Sequence, residues 1–205
     1  VSTESAAALA QAYERGGAAA LSVLTDGHYF RGSADDLRAA RAATRLAALR
    51  KDFVVSTYQV YESAAMEADA VLLIARILSP GLLKDCLDLA AELGLDPLVE
   101  VHSAEDLDKA SEARARLIGI NNRDLTSFET DLSVARNLAG RLRAHQVALA
   151  ESGISSRADV EALLQVGIWN FLVGESLVRA PQPESFLRHL LGCAHDEPPP
   201  GLSRQ

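Results

Sequence analysis

The chain has 205 residues, 48% of them apolar, which is enough for one sizeable core. Its formal net charge of -8 and pI near 5.1 argue against a nucleic acid or an anionic membrane as partner, so an anionic ligand would need a local positive site. Two cysteines, Cys86 and Cys193, suggest neither a disulfide framework nor a metal cluster. Together with the lack of a signal peptide or an apolar run of membrane-spanning length, they point to a reducing, cytoplasmic location.

In chain order, a helical pattern over 5–15 spaces Ala and Leu around Tyr13, and a first apolar run follows at Leu21–Leu24. Six more runs come at Ala47–Leu49, Val71–Ile74, Leu98–Val101, Leu117–Ile120, Val147–Ala150 and Phe171–Val173. From Leu21 to Phe171 the runs recur about every 25 residues, the length of one strand, one helix and two short loops. Between them, helices are expected over 35–46, 57–66, 81–93, 103–113, 131–140, 157–165 and 183–191. Ser103 with Asp106 and Ser156 with Asp159 have the spacing of helix caps. The segment from Ala194, with Pro198, Pro199 and Pro200, reads as a disordered tail, leaving one domain over 1–193.

Strands alternating with helices imply parallel pairing with right-handed crossovers, in either a doubly wound open sheet or a closed α/β barrel. An open sheet usually places a glycine-rich turn after its first strand, and none follows Leu21–Leu24. Four runs instead end in a lone polar residue, Lys51, Glu100, Asn121 or Glu151. In a closed parallel barrel all carboxyl ends of the strands meet on one face, so these four would share a pocket. Alternation puts Leu49, Lys51 and Phe53 inside, with Arg50 and Asp52 pointing away. It likewise places Leu98, Glu100 and His102 inside, then Leu117, Gly119 and Asn121, then Val147, Leu149 and Glu151.

Taken singly, each of the four has a plainer reading. Lys51 could be an exposed strand-end lysine, Glu100 and Glu151 rim charges, and Asn121 a turn former beside Asn122 and Asp124. The basic residues number 20, and only Lys51, Lys84 and Lys109 are lysines, so a lysine at a strand end fits a proton donor of tunable acidity, which arginine cannot supply. Recurrence at matching positions favours a reactive pocket. Glycines also follow the last two runs, in Glu151-Ser152-Gly153-Ile154 and Gly174-Glu175-Ser176, each just before a helix. They either turn the chain or let backbone amides approach a phosphate, and the presence of both favours phosphate.

These residues carry a resemblance. The segments Gly17–Asp26, Phe30, Gly32-Ser33, Leu49–Phe53, Asp69–Ile74, Leu98–His102, Ile118–Leu125, Glu151–Ile154 and Val173–Leu177 resemble, in order, those of indole-3-glycerol phosphate synthase, over about Ala8 to Leu191. The resemblance implies a (β/α)8 TIM barrel and a decarboxylating ring closure of 1-(2-carboxyphenylamino)-1-deoxyribulose 5-phosphate in tryptophan biosynthesis. By the same resemblance Lys51 is the general acid on the substrate ketone and Glu100 a carboxylate in proton transfer. Asn121 and Glu151 orient substrate hydroxyls and stabilise the charged intermediate. Phe53 and Leu125 wall the aromatic ring, Arg123 belongs to the same motif, and Ser152, Gly153, Gly174 and Glu175 form the phosphate loops, Glu175 through its backbone. No metal or organic cofactor is implied, and the expected partner is a small phosphorylated substrate.

One departure accompanies the resemblance. Val1 to Ser5 lead almost directly into the helix that follows the family's first barrel strand, so seven strands are visible and that first strand, with a glutamate, a second lysine and a serine-bearing phosphate loop, is expected to be missing. Two open edges would then favour self-association or a complementing chain. The alternative function is a truncated or degenerate barrel that binds a phosphorylated ligand without turnover, or a partner subunit. The isomerase of the preceding pathway step fits less well, because it needs a cysteine and aspartate pair and neither cysteine lies at a strand end.

Overall fold

The computed structural model describes residues 5–124 and 129–193. Its elements are α1 (Ala6–Gly16), β1 (Ala20–Leu24), α2 (Ala34–Ala43), β2 (Ala47–Lys51), α3 (Thr57–Ala65), β3 (Ala70–Ile74), α4 (Pro80–Glu92) and β4 (Asp96–Val101). They continue with α5 (Ala104–Glu112), β5 (Leu117–Asn121), α6 (Ser133–Ala139), β6 (Val147–Glu151), α7 (Arg157–Leu164), β7 (Asn170–Leu172), α8 (Glu175–Arg179) and α9 (Pro183–Leu191). The strands pair in parallel in the order β1-β2-β3-β4-β5-β6-β7, a nearly closed TIM-type barrel with helices on its outer face. Every expected strand is present. None of the described helices is long and apolar enough to cross a membrane.

Five of the described helices start where a serine side chain satisfies an amide that has no partner within the helix. Ser5, Ser33, Ser79, Ser103 and Ser156 each accept a hydrogen bond from an amide three residues on, and Ser156 with Asp159 completes a reciprocal capping box. Two boundaries differ from the sequence reading. The helix expected over 35–46 ends at Ala43, because Thr44 is extended and Ala47 already pairs with Ala20, leaving Thr44–Leu46 as the connection. The one expected over 131–140 begins at Ser133, with Asp131 accepting from the Ser133 amide just ahead of it. The five-residue α8 has no counterpart in the sequence reading, since it is too short to display a helical period. The tail from Ala194 lies outside the described residues.

Two apolar layers result. The outer one lies between sheet and helices and contains fully buried Leu37, Val60, Leu73, Leu83, Ile118 and Leu163. The inner one, Leu49, Leu72, Ile74 and Leu98 with Phe53, Leu117, Leu149 and Leu172 against it, fills the barrel. Its residues come from alternate positions on β2 to β7, as the pleat requires. On β1 the corresponding Ala20, Ser22 and Leu24 are exposed, because β1 and β7 are the two ends of the sheet. Helix packing spans that seam. Arg15 donates to Glu184 at 2.9 Å, and a Cβ on Gly16 would lie 3.1 Å from the Glu184 carbonyl oxygen and from Leu187, so α1 and α9 touch through a glycine.

Arg50 and Asp52 point out of the barrel as expected, yet both are buried, at 4% and 9% exposure. Arg50 donates to Asp52 at 2.9 Å, to the Gln59 carbonyl at 3.0 Å and to Ser63 at 3.2 Å, clamping β2 to α3. Asp52 also accepts from Thr25 at 2.6 Å and from the Phe53 amide at 2.8 Å, which fixes the end of β2 just beyond Lys51. Asp52→Ala should cost about 3–5 kcal/mol in urea unfolding, since it strands a buried guanidinium whose other carboxylate, Glu62, lies 3.6 Å away. A loss below about 0.5 kcal/mol, the range of ordinary surface changes, would mean that the pair does not hold β2.

Candidate active site at the barrel mouth

Lys51 ends β2, Glu100 lies in β4, Asn121 ends β5 and Glu151 ends β6, and all four side chains turn into the barrel. Lys51 Nζ donates to Glu100 Oε2 at 3.2 Å and to Glu151 Oε2 at 3.4 Å. Asn121 Nδ2 donates to Glu100 Oε1 at 3.1 Å, and Asn121 Oδ1 accepts from the Arg123 amide at 3.0 Å. Residues separated by as much as a hundred positions thus form one network. Its floor is apolar, made by the inner layer just described.

Burial governs the charges. The side chains of Glu100 and Glu151 are 4% and 2% exposed, and that of Lys51 is 19% exposed. Burial alone would lower the Lys51 pKa, but Glu151 and Glu100 outweigh it and raise it, so the amine is charged at neutral pH. For Glu100, burial pushes upward and is overcome by Lys51, Asn121 and His102, so its pKa is lowered and it is ionised. Glu151 goes the other way, to about 8, because burial dominates, Lys51 only partly offsets it and the Glu100 charge adds to the rise. One ammonium cannot balance two buried carboxylates, so the pair retains a proton near neutrality, held mainly on Glu151.

The sequence reading put His102 inside the barrel without giving it a role. Its side chain is 4% exposed, with Nε2 3.3 Å from Glu100 Oε1 and neither ring nitrogen in a hydrogen bond. Burial lowers its pKa despite Glu100, so the ring is neutral at pH 7. The signal was available, since His102 follows Glu100 by two residues on the same face of the chain. Asn122 enters the sequence reading only as a neighbour of Asn121 and as part of the Ile118–Leu125 segment. In the fold it is 1% exposed, its side chain donating to the Glu151 carbonyl at 3.0 Å and accepting from the Ala135 amide at 3.0 Å. It therefore ties the ends of β5 and β6 to α6.

An aromatic wall stands at the same mouth. Phe53 packs on the inner layer and stacks with Phe30 at 5.2 Å between ring centroids and 8° between planes, while Tyr29 meets it edge-on at 5.4 Å. Leu125, expected to share this role, lies outside the described residues. On the far side, Glu151 pairs with Leu172, so Ser152-Gly153 and Gly174-Glu175 leave neighbouring strands at similar height. Ser152 and Gly153 both have left-handed backbone, φ 65° and 76°, and Gly174 precedes α8. Ser176 Oγ donates to the Ile154 carbonyl at 2.8 Å, joining the two loops. The Glu175 carboxylate is taken up by Arg123 at 2.6 Å and Arg179 at 2.9 Å, leaving its backbone as the part that could face a ligand.

The raised Glu151 pKa has a consequence for stability. A carboxyl whose folded pKa exceeds its unfolded value favours folding most below the unfolded pKa of about 4.3 and loses that contribution as pH rises through the folded value of about 8. The parent should therefore lose thermal stability relative to Glu151→Gln between about pH 5 and pH 8.5. Parallel melting-temperature profiles across that window would mean that Glu151 titrates as an ordinary carboxylate.

Comparison with known proteins agrees with this geometry. The family model for indole-3-glycerol phosphate synthase matches residues 2–190. An indole-3-glycerol phosphate synthase of Syntrophobacter fumaroxidans is 60% identical over 188 residues, covering 92% of this chain and 71% of that protein. Those of Desulfosudis oleivorans and Carboxydothermus hydrogenoformans are 58% and 49% identical, covering 87% and 89% of this chain and 68% and 70% of theirs. Among solved structures, a thiamine phosphate pyrophosphorylase from Pyrococcus furiosus superposes with a TM-score of 0.72 at 18% identity, covering 91% of this chain and 88% of that one. An N-acetylmannosamine-6-phosphate 2-epimerase from Clostridium perfringens gives 0.69 at 16% identity, with 83% and 78% covered. The structural likenesses speak for the barrel alone. The sequence matches, running through every strand that bears a site residue, establish that the chain belongs to the indole-3-glycerol phosphate synthase family of tryptophan-biosynthetic enzymes.

Proposed function

We propose that the barrel mouth acts as a carboxy-lyase, closing the pyrrole ring of 1-(2-carboxyphenylamino)-1-deoxyribulose 5-phosphate with loss of carbon dioxide and water. The observation that carries this reading is the Lys51 ammonium held between Glu100 and Glu151 above an apolar floor. Ring closure joins the aromatic carbon bearing the carboxylate to the ketone carbon, and the ketone oxygen gains negative charge as it does so. Lys51, charged and only partly exposed, gives that oxygen its proton. Carbon dioxide then leaves without the bonding electrons, which return to the ring.

The remaining step removes the new hydroxyl as water and a proton from the carbon beside nitrogen. Ionised Glu100 is the group suited to accept that proton, and Asn121 holds it in place. Glu151 with Asn121 orients the substrate hydroxyls, and the proton Glu151 holds passes to the departing hydroxyl, leaving a carboxylate to stabilise the positive charge that develops on nitrogen. The anthranilate ring lies against Phe53, with Leu125 expected beside it, and the phosphate end reaches Ser152, Gly153, Gly174 and the Glu175 backbone, near the Arg123 guanidinium. Anchoring at both ends brings the ring carbon and ketone together, which is where most of the rate gain in such a condensation arises.

Lys51→Met keeps the length and apolar stem of the side chain and removes the proton. Turnover of the carboxyphenylamino deoxyribulose phosphate, followed by indole fluorescence, should fall by at least about 100-fold while circular dichroism stays that of the parent. Activity within a few-fold of the parent would remove Lys51 as the acid. A parent chain that binds the substrate and does not turn it over would replace the lyase reading with that of a phosphate-ligand binder.

A further inference from the structure

Glu151 reaches the other charged groups by leaning across β5. Directly beneath its carboxyl lies Gly119, paired with Glu100 on one side and Leu149 on the other in an unbroken parallel register. Gly119 is not among the residues with positive φ, so its backbone conformation is one that any amino acid can adopt. A glycine in the middle of a strand ordinarily weakens it, and its presence marks a place where something approaches the backbone closely. Here that something is a side chain of the site. A Cβ built on Gly119 would fall 2.0 Å from Glu151 Oε1, 3.1 Å from Glu151 Cδ and 3.3 Å from Leu98 Cδ1.

No carboxyl oxygen can share that space with a methyl group. Leu98 is part of the packed inner layer, so the movable partner is the end of the Glu151 side chain. Glu151 Oε1 is buried and makes no hydrogen bond, whereas Oε2 faces Lys51 at 3.4 Å. The Lys51 contact holds the carboxyl through Oε2, and Oε1 takes the space that Gly119 leaves open. Interior positions of a parallel barrel are filled in layers by alternate strands, and the empty position on β5 lets the carboxyls of β4 and β6 close over the axis.

We propose that Gly119 is a positioning residue, whose missing side chain keeps open the notch that seats the Glu151 carboxyl beside Lys51 and Glu100. The inference rests on the assignment of Glu151 to the site and extends it to a residue that touches no substrate.

Gly119→Ala tests it. The variant should fold, with a melting temperature close to the parent's, because alanine suits a strand better than glycine does and only a flexible side-chain end must yield. Its kcat should fall by about 10- to 100-fold, the penalty of displacing a site group by about an ångström. Carbon-13 titration of the Glu151 carboxyl should give a midpoint near 8 in the parent and a displaced one in the variant, because its distances to Lys51, which lowers the pKa, and to Glu100, which raises it, both change. Shortening the displaced side chain should relieve the clash, so Glu151→Asp, harmful in the parent, should recover activity when added to Gly119→Ala. A Gly119→Ala enzyme with the parent's kcat and the parent's Glu151 titration would overturn the proposal. If Gly119→Ala fails to fold, the double variant must fold again, and its failure too would overturn it. A titration that shifts in a chain lacking turnover would leave the role of Gly119 standing and remove the lyase reading instead.

Discussion

A single ammonium group shared by two buried carboxyls is the constraint around which the mouth of this barrel is organised. Lys51, Glu100 and Glu151 come from β2, β4 and β6, and none of the three could lose water contact alone without a large penalty. They can meet only if the sheet curls until alternate strands face one another across an axis. Curling in turn requires the inner apolar layer of Leu49, Leu72, Ile74 and Leu98 beneath them, since a hollow barrel would forfeit its dispersion contacts. The charge cluster and the apolar floor therefore depend on each other: the floor supplies the low dielectric that makes the charges interact strongly, and their pairing allows charge to sit on an apolar core.

The same arithmetic divides labour between two chemically identical side chains. Glu100 receives Lys51, Asn121 and the edge of His102, and stays ionised. Glu151, with one oxygen facing Lys51 and the other lying over Gly119 without a partner, holds its proton to about pH 8. Pairs of acids whose surroundings drive their pKa values apart are a common basis for assigning one as proton acceptor and the other as donor or neutral hydrogen-bonding group. In this barrel Lys51 and the Asn121 amide hold Glu100 ionised, whereas burial and the neighbouring Glu100 charge outweigh Lys51 at Glu151.

Around the cluster, the rest of the molecule holds the strand ends still. The Arg50 and Asp52 pair fastens the end of β2 to α3, Asn122 fastens β5 and β6 to α6, and Ser176 joins the loops after β6 and β7. At the seam where β1 and β7 end the sheet, α1 and α9 pack directly through Gly16. Arg50, Asp52 and Asn122 are polar and buried, and each is satisfied by several partners rather than one.

Much of this was legible in the residues alone. The recurrence of short apolar runs every 25 residues or so, with capped helices between, indicated parallel pairing, the lone polar run ends favoured the closed barrel over an open sheet, and the period-two alternation turned Lys51, Glu100, Asn121 and Glu151 inward. These features depend on neighbours within a few positions, which is what a sequence displays. It did not reveal α8, too short to show a period, nor the stopping point of α2, set by where Ala47 must pair. Tertiary structure alone decided that Arg50 and Asp52 would be buried beneath α3, that His102 would lie unpartnered beside Glu100, that Glu151 would keep a proton, and that Gly119 would be the hollow beneath it. Each of those outcomes depends on the distance between groups far apart along the chain, and that distance exists only once the barrel has formed.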